Sequence, residues 1–143
     1  MNRKAARPIL HAISQVPGLY AAVAFLLARR ITVRGRSMAP TLLPGERLLF
    51  DRLAYVRGRP TRGDIVLVGR PRRAGLFIIK RITGLAGDEV GASGVLDLGE
   101  CWLAGDNPEE STDSRSFGPV RETQLLGRAW VRYGPAERWE VFD

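Results

Sequence analysis

Cysteine and histidine occur once each in this chain, as Cys101 and His11, and lysine only twice, as Lys4 and Lys80. A lone cysteine excludes an internal disulfide and leaves the compartment open. With no Cys/His cluster, a zinc-type metal site is not expected, and no cofactor is implied. A Ser-His-Asp triad would have to draw on His11, which lies in an apolar N-terminal stretch, and that argues against it. The sequence also lacks internal repeats and low-complexity tracts, and its length suits one domain with a proper core.

Negative charge is in short supply too: the net charge is +7 and the isoelectric point near 10.7. Such a balance suits an anionic partner, a lipid surface or a nucleic acid. No helix-turn-helix pattern precedes the body of the chain, so nucleic acid is not expected and an anionic membrane surface is preferred. Nearly all the positive charge is arginine, which makes Lys80 an exception. A buried lysine can lose its proton and an arginine cannot.

Residues 1–7 are basic, and residues 8–28 (PILHAISQVPGLYAAVAFLLA) carry no charge. That length just reaches a membrane span, although His11, Ser14, Gln15, Pro17 and Gly18 weaken its first half. A weak single span, a helix lying in the interface and a helix packed on the domain all fit. Residues 1–30 are therefore taken as a basic N-terminus and an apolar membrane-associated helix, and residues 31–143 as a separate β-rich domain. Basic residues flank both ends of the apolar stretch, so charge sets no orientation.

From residue 31 the pattern is mostly strand. Strands are expected at residues 31–33, 47–50, 64–68 (DIVLV), 76–83 (LFIIKRIT) and 124–133 (QLLGRAWVRY). Shorter pieces are expected at 88–90, 95–98 and 102–104. Short strands punctuated by glycine turns predict a mainly β fold, barrel or sandwich. No helix longer than the N-terminal one is expected.

Three stretches carry chemistry-bearing side chains. Residues 34–42 (RGRSMAPTL) put Ser37 on an irregular loop between strands, where a serine can be a nucleophile or merely a turn residue bonding its own backbone. In the strand at 76–83, alternation places Lys80 on one face with Ile78 and Ile82. Such an amine is either partly buried or snorkels to solvent. If buried, its pKa must fall from 10.4 by about 3 units to be mostly neutral near pH 7, and it can then take a hydroxyl proton. Residues 105–115 (GDNPEESTDSR) form a polar loop in which Ser111 can orient an amine and Asp113 can pair with Arg115.

Taken together, these stretches resemble the type I signal peptidase family. GRSMAPTL resembles its nucleophile box. RGDIVLV (62–68) with IKRITGLAGD (79–88) resembles its lysine box, and GDNPEESTDSRSFGPV (105–120) its C-terminal box. The resemblance runs from about residue 33 to residue 133, with the boxes in family order. It implies a coiled antiparallel β-sheet or barrel with an N-terminal apolar helix. It also implies a serine endopeptidase that removes signal or leader peptides after a small residue. Ser37 would be the nucleophile and Lys80 the general base. Ser111 would hold the amine, Asp113 and Arg115 would form an ion pair beneath it, and Asp106 would support the loop. Met38 would line the pocket for the small residue. Some members carry a serine where this chain has Gly35, so the oxyanion would rely on the Ser37 N–H and another backbone donor.

The partners implied are precursor leader peptides and a membrane surface, and the location implied is a single-pass protein of the cell membrane. The third box is also similar to that of proteases that mature nickel-type superoxide dismutase, which would be cytoplasmic. A remoter likeness is to self-cleaving DNA-linked regulators. A non-enzymatic basic β domain remains if Ser37 and Lys80 lie apart.

Overall fold

The computed structural model describes residues 18–143. The basic segment 1–7, His11 and the first part of the uncharged stretch lie outside the described residues. Helix α1 (Leu19–Leu27) leads through Ala28 directly into strand β1 (Arg29–Thr32). Then follow β2 (Arg47–Asp51), the one-turn α2 (Ala54–Arg57), β3 (Ile65–Gly69), β4 (Phe77–Gly84) and β5 (Glu100–Ala104). The one-turn α3 (Ser114–Phe117), β6 (Val120–Arg121), β7 (Leu125–Gly134) and β8 (Glu140–Val141) complete the chain.

Among the described residues, all eight strands belong to one antiparallel sheet in the order β1-β2-β7-β3-β4-β5-β6, with β8 paired to β7. The fold is mainly β, as the sequence predicts, but the sheet does not close, so the barrel alternative gives way to an open, coiled sheet. Bulges in the β2–β7 ladder, on either side of the Leu48–Leu49 pair, add bend and twist. The pieces expected at 88–90 and 95–98 meet in a single bridge, Glu89 with Val95.

The unbroken apolar run IVLV of β3 has a simple cause: the strand is covered on both faces. Ile65 and Leu67 point into a core with Met38, Leu42, Leu48 and Phe50. Val66 and Val68 point into a second core with Ile82, Leu103 and Val120. The central strand thus carries both cores, and the sheet can coil round the first one.

Among the described residues no helix is long and apolar enough to cross a membrane. Helix α1 docks on the sheet through Ala24, which is buried, and Tyr20. The Tyr20 hydroxyl donates to Asp51 at 2.6 Å, and Arg57 stacks over its ring at 4.0 Å. Burial and the Asp51 carboxylate push the phenol up to about 12, so it remains a donor. Phe25, Leu26 and Leu27 stay exposed. Tyr20→Phe should lower unfolding free energy by about 1.5 kcal/mol, the value of a hydrogen bond to a charged group. Urea unfolding reads this, and an unchanged midpoint would mean that α1 is not held here.

Candidate active site

Ser37 sits in a loop fixed by apolar anchors, Val33 before it and Met38 and Leu42 after it. Met38 and Leu42 are buried in the first core, and Leu42 N–H donates to the Met38 carbonyl at 2.9 Å. Gly35 has φ +71°, a left-handed conformation that costs glycine little and turns the chain into the loop. Met38 and Gly35 both line the adjoining groove.

Lys80 comes from β4, where residues 80, 82 and 84 alternate inward. The amine-bearing residue is 3% exposed and its Nζ lies 2.8 Å from Ser37 Oγ. The snorkelling alternative is therefore excluded. Burial pushes the amine below its ordinary value of 10.5; Asp113 opposes the shift and the Arg70 charge adds to it. An uncharged amine at this distance can accept the hydroxyl proton, the requirement for general-base work.

The polar loop 105–115 packs against the Ser37 segment. Asp113 is fully buried and accepts from Gly105 N at 3.0 Å, Ser111 Oγ at 2.8 Å and Arg115 Nε at 2.9 Å. It also caps α3 through Arg115 N. Despite its burial these bonds hold its carboxyl down at about 2, so it stays ionised. The Asp113–Arg115 pair is thus in the structure. The Ser111 hydroxyl donates to Asp113 and not to Lys80, whose Nζ is bonded to Ser37 Oγ.

Asp106 makes a tie that the sequence does not disclose. It accepts from Thr41 Oγ1 at 2.6 Å and from Arg81 Nε and Nη2 at 2.9 and 2.7 Å. Thr41 belongs to the Ser37 loop and Arg81 follows Lys80, so one carboxylate clamps the two segments together. Asn107 adds a second tie, from its N–H to the Ser37 carbonyl at 2.9 Å and from its amide group to the Arg36 carbonyl at 3.1 Å. Gly105 lets the loop approach: a Cβ there would come within 2.5 Å of the Ser37 carbonyl oxygen. Thr41, Arg81, Asn107 and Gly105 are the members that sequence reasoning missed. The only available signal was Arg81, a charge alternating with Lys80 along the strand.

Ser37 and Lys80 open into a groove of about 300 Å³, walled by Ile31, Val33, Met38, Leu67 and Ile79. Among the described residues, one side is β1, paired only with β2, and the other is residues 77–80 of β4, paired only with β3. Each therefore presents an unpaired backbone edge to the groove.

The family model "Signal peptidase, peptidase S26" matches residues 6–98 and 92–134. The chain belongs to the signal peptidase family. It is 39% identical over 117 residues to mitochondrial ATP-independent inner membrane protease subunit 1a of Arabidopsis thaliana, spanning 73% of this chain and 70% of that one. It is 38% identical over 112 residues to mitochondrial inner membrane protease subunit 1 of Xenopus tropicalis, spanning 72% and 67%. To subunit 2 of the Danio rerio protease it is 36% identical over 128 residues, spanning 82% and 70%. This signal peptidase family member is accordingly a peptidase, and the groove with its serine and lysine is its candidate active site.

Proposed function

We propose that this peptidase removes N-terminal leader peptides from precursor proteins, cutting after a small residue, with Ser37 as nucleophile and Lys80 as general base. The observation that carries the reading is the 2.8 Å contact between a buried lysine amine and a loop serine hydroxyl. The neutral amine takes the hydroxyl proton as Oγ attacks the scissile carbonyl carbon. The resulting ammonium returns that proton to the departing amine, and an acyl-serine ester remains. Water, deprotonated by the same amine, then hydrolyses the ester. Negative charge on the carbonyl oxygen is met by the Ser37 N–H and a second backbone donor, since Gly35 offers no side chain.

Ser111, Asp113 and Arg115 act as a brace behind the amine, and Asp106 holds the loop in register with β4. Substrate enters as an added strand between the two free edges, its small side chain over Met38. Work at a membrane surface is supported by the names of the relatives, the net positive charge and the exposed Phe25, Leu26 and Leu27. The two residue spans 1–30 and 31–143 serve as anchor and catalytic domain in this reading.

The test is mass spectrometry of protein N-termini in cells whose only copy carries Ser37→Ala. Accumulation of several leader-bearing precursors of exported or membrane-bound proteins is expected. A lone nickel-type superoxide dismutase precursor would move the assignment to a dedicated maturation protease, and an unchanged set of N-termini would sink both.

A further inference from the structure

Behind the Ser37 loop lies a cluster of charges that the dyad does not use. Glu46 is 2% exposed and Arg132, on β7, is 6% exposed. The Glu46 carboxylate accepts from Arg132 Nη1 at 3.2 Å, from Leu43 N at 3.0 Å and from Arg138 Nε. Arg132 Nη1 also donates to the Thr41 carbonyl at 2.8 Å, and Arg138 Nη2 to the same oxygen at 3.2 Å. Glu140, on β8, closes the cluster by accepting from Arg132 Nη2.

Burying ions carries a desolvation penalty, so such a cluster is a poor device for stability alone. Its geometry fits another use. Two guanidinium groups converge on one carbonyl, four residues from Ser37, while Asp106 holds the side chain of the same threonine from the opposite side. Thr41 is thereby gripped by carbonyl and hydroxyl at once. Glu46 in turn fixes both arginines, and its own carbonyl accepts from Val33 N at 2.8 Å at the groove wall.

We infer that Arg132 and Arg138, locked by Glu46, are positioning residues that set the Ser37 hydroxyl against the Lys80 amine by holding the Thr41 carbonyl. The inference rests on the serine–lysine reading for its effect on turnover, but not for its effect on the loop. Neither arginine touches the reacting atoms. Each acts through the Ser37 loop, so its loss should reduce turnover and leave peptide binding alone.

The experiment uses the full chain with a leader-derived peptide and the variants Arg132→Ala and Arg138→Ala. For Arg132→Ala, kcat should fall about 100-fold, the cost of a displacement near 1 Å at a reacting group, with KM unchanged within about threefold. Added guanidinium ion should restore part of kcat in Arg132→Ala. Amide exchange should quicken at Ala39 and Leu42 in both variants, with β3 unchanged. If Arg132→Ala does not fold, the more exposed Arg138→Ala decides, with a kcat loss of about tenfold expected for one lost donor at a held oxygen. Wild-type kcat in folded variants, or a kcat loss without faster exchange in the loop, overturns the inference. Should Ser37→Ala turn over like the wild type, the catalytic reading fails instead, and the exchange rates alone judge the bracing.

Discussion

Lys80→Met is expected to reduce peptide cleavage by about 10⁴-fold, the upper range for a positioned general base, while the chain stays folded. Methionine keeps an unbranched apolar stem reaching as far as the lysine Cε and removes the nitrogen that lies 2.8 Å from Ser37 Oγ. Lys80→Arg should be as inactive, since arginine keeps its proton at any working pH. The wild-type rate should rise with pH as the amine deprotonates, with its inflection below 10.5 because burial disfavours the ammonium. The same shift has a consequence for stability. The folded pKa lies below the unfolded one, so the unfolded chain binds the extra proton. Stability therefore rises with pH from the lowered value up to 10.5, and Lys80→Met should flatten that part of a melting-temperature profile. Cleavage at near wild-type rate by Lys80→Arg would end the dyad mechanism.

Gly105→Ala is the second large effect, and it comes from a residue with no side chain. A single added methyl would lie 2.5 Å from both the Ser37 carbonyl oxygen and Ser111 Cβ, and closer still to Ser111 Oγ. Neither neighbour can withdraw freely. The Ser37 carbonyl accepts from Asn107 N, and Ser111 is bonded to the buried Asp113. The loop must move off the serine, so kcat should fall about 100-fold or more for a shift near 1 Å. Overpacking should also destabilise by about 1–3 kcal/mol. Steady-state kinetics beside urea unfolding separates the two losses, and turnover within about threefold of wild type would show that the loop tolerates displacement.

The parts of the candidate site legible in the sequence are those with distinctive chemistry. Lys80 stood out because arginine fills nearly every other cationic position, and Ser37 because glycine and proline break the pattern round it. Strands β2, β3, β4 and β7 were legible from apolar runs and alternation. The two-residue β6 and β8 were not, because so short a pair has no period, and α2 and α3 are single turns without one. The tie from Thr41 through Asp106 to Arg81 could not be read either. A chain rich in arginine does not reveal which guanidinium turns inward. Glu46 reads as part of a proline-glycine turn, and only the fold shows it buried between two arginines. The open sheet corrects the barrel alternative for a related reason: closure depends on shear and stagger, which no local pattern encodes.

The bare borders of β1 and β4 have a consequence for clientele. A groove that reads a guest through amides and carbonyls is indifferent to most of what the guest's side chains say. Under the proposed function, the repertoire of proteins trimmed is then decided less by the groove than by which extended tails are brought within its reach.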